Sequence, residues 1–140
     1  MVSSPRAEII IDGKLNEKEW QDAQVFNDFY VTVPFSLEKT PLETKAFFYS
    51  NDDGLYVAFI NAQDKKTRDR RKHQRDNLHQ TYDRNIVVID FDNNGSTAYM
   101  LGVSLSNSLI DYTITNENQV DKDWDGEWFA KTSESDENWY

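Results

Sequence analysis

Residues 44–60, Thr44-Lys45-Ala46-Phe47-Phe48-Tyr49-Ser50-Asn51-Asp52-Asp53-Gly54-Leu55-Tyr56-Val57-Ala58-Phe59-Ile60, decide the fold class. Two runs rich in aromatic and β-branched residues, Thr44 to Tyr49 and Leu55 to Ile60, flank a tetrad of Asn, Asp and Gly. Such residues reverse a chain because their side chains bond the local backbone and Gly tolerates positive φ, so the two runs predict an antiparallel hairpin. The same pattern returns downstream: Ile86 to Phe91 and Ala98 to Leu105 surround Asp92-Asn93-Asn94-Gly95, and Leu109 to Ile114 follows Ser106-Asn107-Ser108.

Working outward, Ala7 to Ile11 reads as a strand stopped by Asp12-Gly13. Asn16 to Ala23 reads as a short helix: Asn16 stands at an N-cap, Glu19 follows three residues later, and Trp20 and Ala23 share a face toward the core. Val25 to Val33 alternates weakly, and the stretch through Pro34 and Pro41 is a loop because proline donates nothing to a ladder. Glu127 to Thr132 reads as a strand after an Asp-rich loop, and Trp139-Tyr140 as the beginning of another. About eight short strands at this spacing predict an all-β fold, an antiparallel jelly-roll-like β-sandwich with one short N-terminal helix.

A length of 140 residues predicts a single domain spanning 1–140. Hydrophobic residues are 38% and aromatics 14% of the chain, which supplies large apolar side chains for a core. A formal charge of -10 opposes nucleic acid and anionic lipid as partners, since both reward Lys and Arg. Seven of the 15 basic residues nevertheless crowd between Lys65 and Arg75. That run is a solvated face or a dock for phosphate or an acidic glycan, and a helix capped near Asp64 would spread its charges over all faces. Cysteine is absent, which removes disulfides, thiolate metal sites and cysteine nucleophiles together. No apolar run approaches the length of a membrane helix, so no membrane insertion by this domain is expected.

The ordered set Ile11-Asp12-Gly13-Lys14-Leu15-Asn16-Glu17 with Trp20, Leu55-Tyr56-Val57-Ala58-Phe59, Arg75-Asp76, Asp83, Ile89-Asp90 and Trp124-Asp125-Gly126-Glu127-Trp128 resembles family 9 carbohydrate-binding-module-like domains. It is most similar to the subgroup at the N-terminus of large bacterial envelope proteins described as hydrolases. The resemblance implies a jelly-roll-like sandwich without catalytic residues, oligosaccharide or polysaccharide binding, structural calcium in some members, and a periplasmic or cell-envelope location. It also implies departures. Sugar-binding members place an aromatic and a carboxylate where this chain carries Gln80 and Ile86, an arginine where it carries Gly102, and a second stacking tryptophan beyond Tyr140. The family continues past Asn138-Trp139-Tyr140, so a fragment of a longer protein is expected, with dimerisation through an unpaired sheet edge as one consequence.

Three constellations remain, each with two readings. Asp121, Asp123 and Asp125 place alternate carboxylates on one loop, the donor type calcium takes, but without the full EF-hand spacing; the other reading is a solvated acidic loop. Tyr82, Trp124 and Trp128 offer faces for stacking on sugar rings; the other reading is that they fill the core. Asp64 and Asp83, with Arg75, Asp76 and Arg84 nearby in sequence, could face each other as a carboxylate pair, or form ion pairs that pin a loop. His73 and His79 fit no zinc spacing, and no Gly-x-Ser-x-Gly elbow, P-loop or dinucleotide fingerprint occurs. The expected function is a non-catalytic, carbohydrate-binding accessory domain of a larger carbohydrate-active or cell-envelope protein. The alternative is a structural domain that packs against the rest of its parent without binding glycan.

Overall fold

The computed structural model describes residues 9–140. Eight strands form two antiparallel four-stranded sheets, and the helical content is one 3-10 turn. The antiparallel all-β class expected from the turn spacing is what the chain has, and two sheets of this make are the components of a β-sandwich. The chain divides into two compact units, the first comprising the described residues up to Thr67 with Ser133–Tyr140, the second Arg68–Thr132.

In the first unit the strands are β1 (Gln24–Phe26), β2 (Thr44–Asn51), β3 (Gly54–Ala62) and β8 (Asn138–Trp139), in the order β1-β2-β3-β8. The expected hairpin is present, with Asn51 opposite Gly54 and Thr44 opposite Asn61. Its turn closes on a side chain: Asn51 Oδ1 accepts the N–H groups of Asp53 at 2.8 Å and Gly54 at 3.2 Å. Two buried tryptophans anchor the unit. Trp139 enters as β8 beside Asn61 and donates its indole N–H to Gln63 Oε1 at 2.8 Å, while Trp20 donates to Glu17 Oε2 at 3.0 Å.

Three expectations in this unit change. The helix over Asn16 to Ala23 is only a 3-10 turn over Lys18–Asp22 whose N-cap is Glu17, with no side-chain cap bond. Glu17 instead accepts from the Trp20 indole and from the Ile10 N–H, and so few residues cannot propagate an α-helix. The weakly alternating stretch Val25 to Val33 is strand only at its start, within Gln24–Phe26, followed by one isolated bridge between Tyr30 and Lys39. Of the strand expected over Ala7 to Ile11, Ala7 and Glu8 lie outside the described residues, and residues 9–11 form no strand.

In the second unit the strands are β4 (Arg84–Ile89), β5 (Thr97–Ser104), β6 (Leu109–Thr115) and β7 (Gln119–Asp121), paired in chain order. Asp90 organises the β4–β5 turn, its two oxygens accepting from Asp92 N at 3.1 Å and Gly95 N at 2.7 Å. Gly95 sits at φ 71, a conformation that glycine adopts without a Cβ clash. One face of the sheet carries the core of Tyr82, Ile110 and Tyr112, with Leu78 and Met100 packed on it. The Tyr82 and Tyr112 hydroxyls donate to the carbonyls of Asn77 and Asp76, which ties residues 76–82 onto that face.

The strand expected over Glu127 to Thr132 does not form. Side chains hold that segment instead of a ladder: Thr132 N donates to Asn107 Oδ1 at 2.9 Å, and Thr132 Oγ1 to the Leu105 carbonyl at 2.9 Å. In its place β7 extends the sheet, with Val120 opposite Ile114. Gln-Val-Asp has a single apolar residue, too short a run to mark a strand, so its pairing depends on the edge that β6 offers. The basic run is not helical: Arg68 is buried, and Arg71 is bound to Asp69, holding that carboxyl down at about 2.

Candidate aromatic and carboxylate surface

Because side chains alternate along a strand and directly opposed residues share a face, the register sorts the second sheet into two surfaces. Ile86, Gly102 and Ile110 lie in one row on the core face. Ile89, Tyr99, Thr113 and Asp121 form a row on the opposite face, and Val87, Leu101 and Asp111 form the next row there.

On that opposite face three rings run together. Phe91 packs on Tyr99 with centroids 5.7 Å apart, and Tyr99 packs on Trp124 at 5.1 Å. Phe91 is 61% exposed and the other two are half-buried, so the row keeps ring surface open to solvent. Trp124 folds back over Gly126, where an added Cβ would come within 2.5 Å of its ring. A glycine there lets the indole lie down on the backbone.

In the adjoining row of the same face stands Asp111, whose exposure is 0%. Its Oδ1 accepts from Arg75 Nη2 at 2.6 Å, and its Oδ2 from Gly126 N at 2.8 Å and Trp128 Nε1 at 3.3 Å. A carboxylate taken wholly out of water is tolerable only with such a full set of donors. Arg75 continues to Asp125 at 3.0 Å and approaches Asp76 at 3.6 Å. Asp76 adopts φ 61 and accepts the Asp111 N–H at 2.8 Å, which pins the segment before the core loop to the edge of β6. Burial pushes the Asp76 carboxyl up, and the charge of Asp111 adds to that, against the Asp111 N–H bond and Arg75.

The sequence-derived site residues separate on this framework. Tyr82 is buried, stacked on His73 at 3.8 Å with Arg84 over its ring, so it offers no free face to a sugar. Trp124 joins the open row, and Trp128 is half-buried with its N–H directed at Asp111. Two of the departures from the sugar-binding pattern, Ile86 and Gly102, are cross-strand partners. A Cβ at Gly102 would lie 2.9 Å from Ile86 Cγ1 and 3.0 Å from the Asn85 carbonyl, so no longer side chain fits there. Gln80 is exposed and passes its carbonyl to Arg84.

No family model, no curated protein and no solved structure matches the chain.

The calcium reading finds a different set of carboxylates from the one the loop spacing suggests. Asp121 lies in β7 and accepts the Asp123 N–H at 2.9 Å, and both side chains are exposed. Among the described residues, the carboxylates close enough to share an ion are Asp76, Asp111 and Asp125, with ligand atoms within 4.8 Å of one another. That set does not fit calcium, because the Arg75 guanidinium already lies against oxygens of all three. A guanidinium and a divalent cation cannot share those oxygens without strong repulsion. Of the carboxylate pair considered above, Asp83 accepts the Asp69 N–H at 2.7 Å and Asp64 the Lys66 N–H at 2.8 Å, each as a local loop clamp.

Asp111, Tyr99 and Phe91 were not singled out from the sequence, and Arg75 was named only beside Asp64 and Asp83, not as the partner of Asp111. For Asp111 a signal existed, a lone carboxylate inside the apolar run Leu109 to Ile114. A charge placed there is either exposed or bound, and only the fold says which.

Proposed function

We propose that this chain is a non-catalytic accessory domain whose second unit binds a carbohydrate chain along the row of Phe91, Tyr99 and Trp124, within a larger carbohydrate-active or cell-envelope protein. The observation that carries the reading is the row itself: Phe91 packs on Tyr99 and Tyr99 on Trp124, with ring surface left exposed and polar groups in the adjoining row. Sugar rings present apolar C–H faces that stack on aromatic planes, while a few polar groups fix their orientation. A hydrolytic role has less support, because both oxygens of Asp111 are engaged by donors, and Asp125 is held by the same arginine.

Titration with soluble oligosaccharides, read by tryptophan fluorescence and amide shifts, tests the proposal. Saturable binding with a dissociation constant no tighter than about 0.1 mM, or about 5.5 kcal/mol, is expected, since three rings form a small platform. Trp124→Ala abolishes it while the dispersion of the amide spectrum is retained. A flat response across neutral and charged glycans would instead favour the structural-domain reading, which draws on the apolar side chains left open in the first unit, Val33 at 89% and Phe35 at 79% exposure.

A further inference from the structure

The aromatic row is bordered by acid. Tyr99, Thr113 and Asp121 are directly opposed across β5, β6 and β7, so the Asp121 side chain stands on the same face as the Tyr99 ring, two strand spacings or about 10 Å away. Asp123 is joined to Asp121 through its N–H, and Asp125 is the residue after Trp124, which itself packs on Tyr99. Asp121, Asp123, Asp125 and Glu127 are all exposed. Lys122, between Asp121 and Asp123, is also exposed, and Arg75 is engaged by Asp111 and Asp125. Carboxylates therefore dominate the field over the rings.

Stacking barely distinguishes one pyranose from another, because every ring offers a C–H face. The border does the distinguishing. A uronic acid laid on the row would bring its carboxylate toward like charges, a neutral sugar would be indifferent, and an ammonium substituent would find the exposed carboxylates of Asp121 and Asp123 beside it. We infer that this face selects oligosaccharides bearing ammonium groups, that is, de-N-acetylated amino sugars, over neutral and uronic-acid chains. The inference rests on the glycan-binding reading above and adds the substrate class to it.

Exposed ion pairs are weak one at a time, each amounting to about fivefold in affinity at most, so the preference comes from two or more acting together and depends on salt. The whole 140-residue chain should be titrated near pH 6, where an amine is charged, with a glucosamine tetramer, its N-acetylated counterpart, a glucose tetramer, a galacturonic acid tetramer and spermine as a charge-only probe. The glucosamine tetramer is expected to bind about tenfold more tightly than the neutral tetramers at low salt, with the gap closing near about 0.5 M salt. D121N combined with D123N should narrow that gap, and Trp124→Ala should remove glucosamine binding in a chain that still folds. Equal affinity for glucosamine, glucose and galacturonic tetramers would overturn the selectivity and leave glycan binding standing. Spermine competing as well as the tetramer, or tetramer binding that survives Trp124→Ala, would show attraction by net charge alone and overturn it as well. No response to any sugar would remove both readings together.

Discussion

Both units must give a large indole an acceptor for its N–H, and they do so with opposite economies of charge. In the first unit Trp20 and Trp139 donate to two separate, half-buried side chains, Glu17 and Gln63. In the second, Trp128 donates to Asp111, a fully buried carboxylate that also holds Arg75 and the Gly126 backbone. The first arrangement is a set of separate bonds whose losses add. The second is a network through one atom group, so its members fail together.

That difference predicts where the chain is fragile. Asp111→Ala leaves a guanidinium, a backbone N–H and an indole N–H without their acceptor and should cost the second unit about 2–4 kcal/mol, tempered by the partial exposure of Arg75. Gln63→Ala should cost the first unit about 1 kcal/mol. Hydrogen exchange resolved by residue reads both, and equal losses would mean that Asp111 is not a hub. Gly102→Ala comes next, at about 1–3 kcal/mol, because the new methyl meets a backbone carbonyl that cannot rotate aside; an unchanged denaturation midpoint would contradict that packing.

Asp76→Asn probes the same network with the opposite sign. Asn keeps an oxygen for the Asp111 N–H and removes a charge that burial disfavours. A carboxyl whose pKa is raised on folding favours the folded state below its unfolded value and loses that contribution as pH rises through the folded value. The substitution should therefore stabilise by up to about 1 kcal/mol at neutral pH, with the gain vanishing in acid below the ordinary carboxylate range. Unfolding curves at several pH values check this, and a gain that grew toward acid would reverse the assignment. The smallest expected effect is that of calcium. Since Arg75 occupies the carboxylate cluster, millimolar calcium and chelator should give the same thermal midpoint, and a rise with calcium would show a native-state site.

The hairpin at Thr44 to Ile60 was legible because its information is local: alternation, Asn51 and Gly54 are all within the segment that folds. The Asp90 turn was legible for the same reason. By contrast, Glu127 to Thr132 carries strand-like residues yet forms no strand, since Asn107 and Leu105, far back in the chain, offer its backbone and hydroxyl other partners. The short helix failed through a similar competition, with the Glu17 carboxylate drawn to an indole rather than to a helix terminus.

Residue order alone was sufficient for the antiparallel all-β class, the positions of the main turns and the absence of any thiol chemistry, because backbone reversal and side-chain alternation act over a few residues. Which aromatics are open and which carboxylates meet depended on the folded chain. Tyr82 and Trp124 are equally plausible stacking residues as letters, but packing puts the first against Ile110 and Tyr112 in the core and the second against Tyr99. Asp125 follows Asp121 and Asp123 in the loop, yet its partner is Arg75, fifty residues earlier, because the segment at Asp76 lies along the edge of β6. Burial and long-range pairing are properties of positions in space, and a linear pattern constrains them only through the fold.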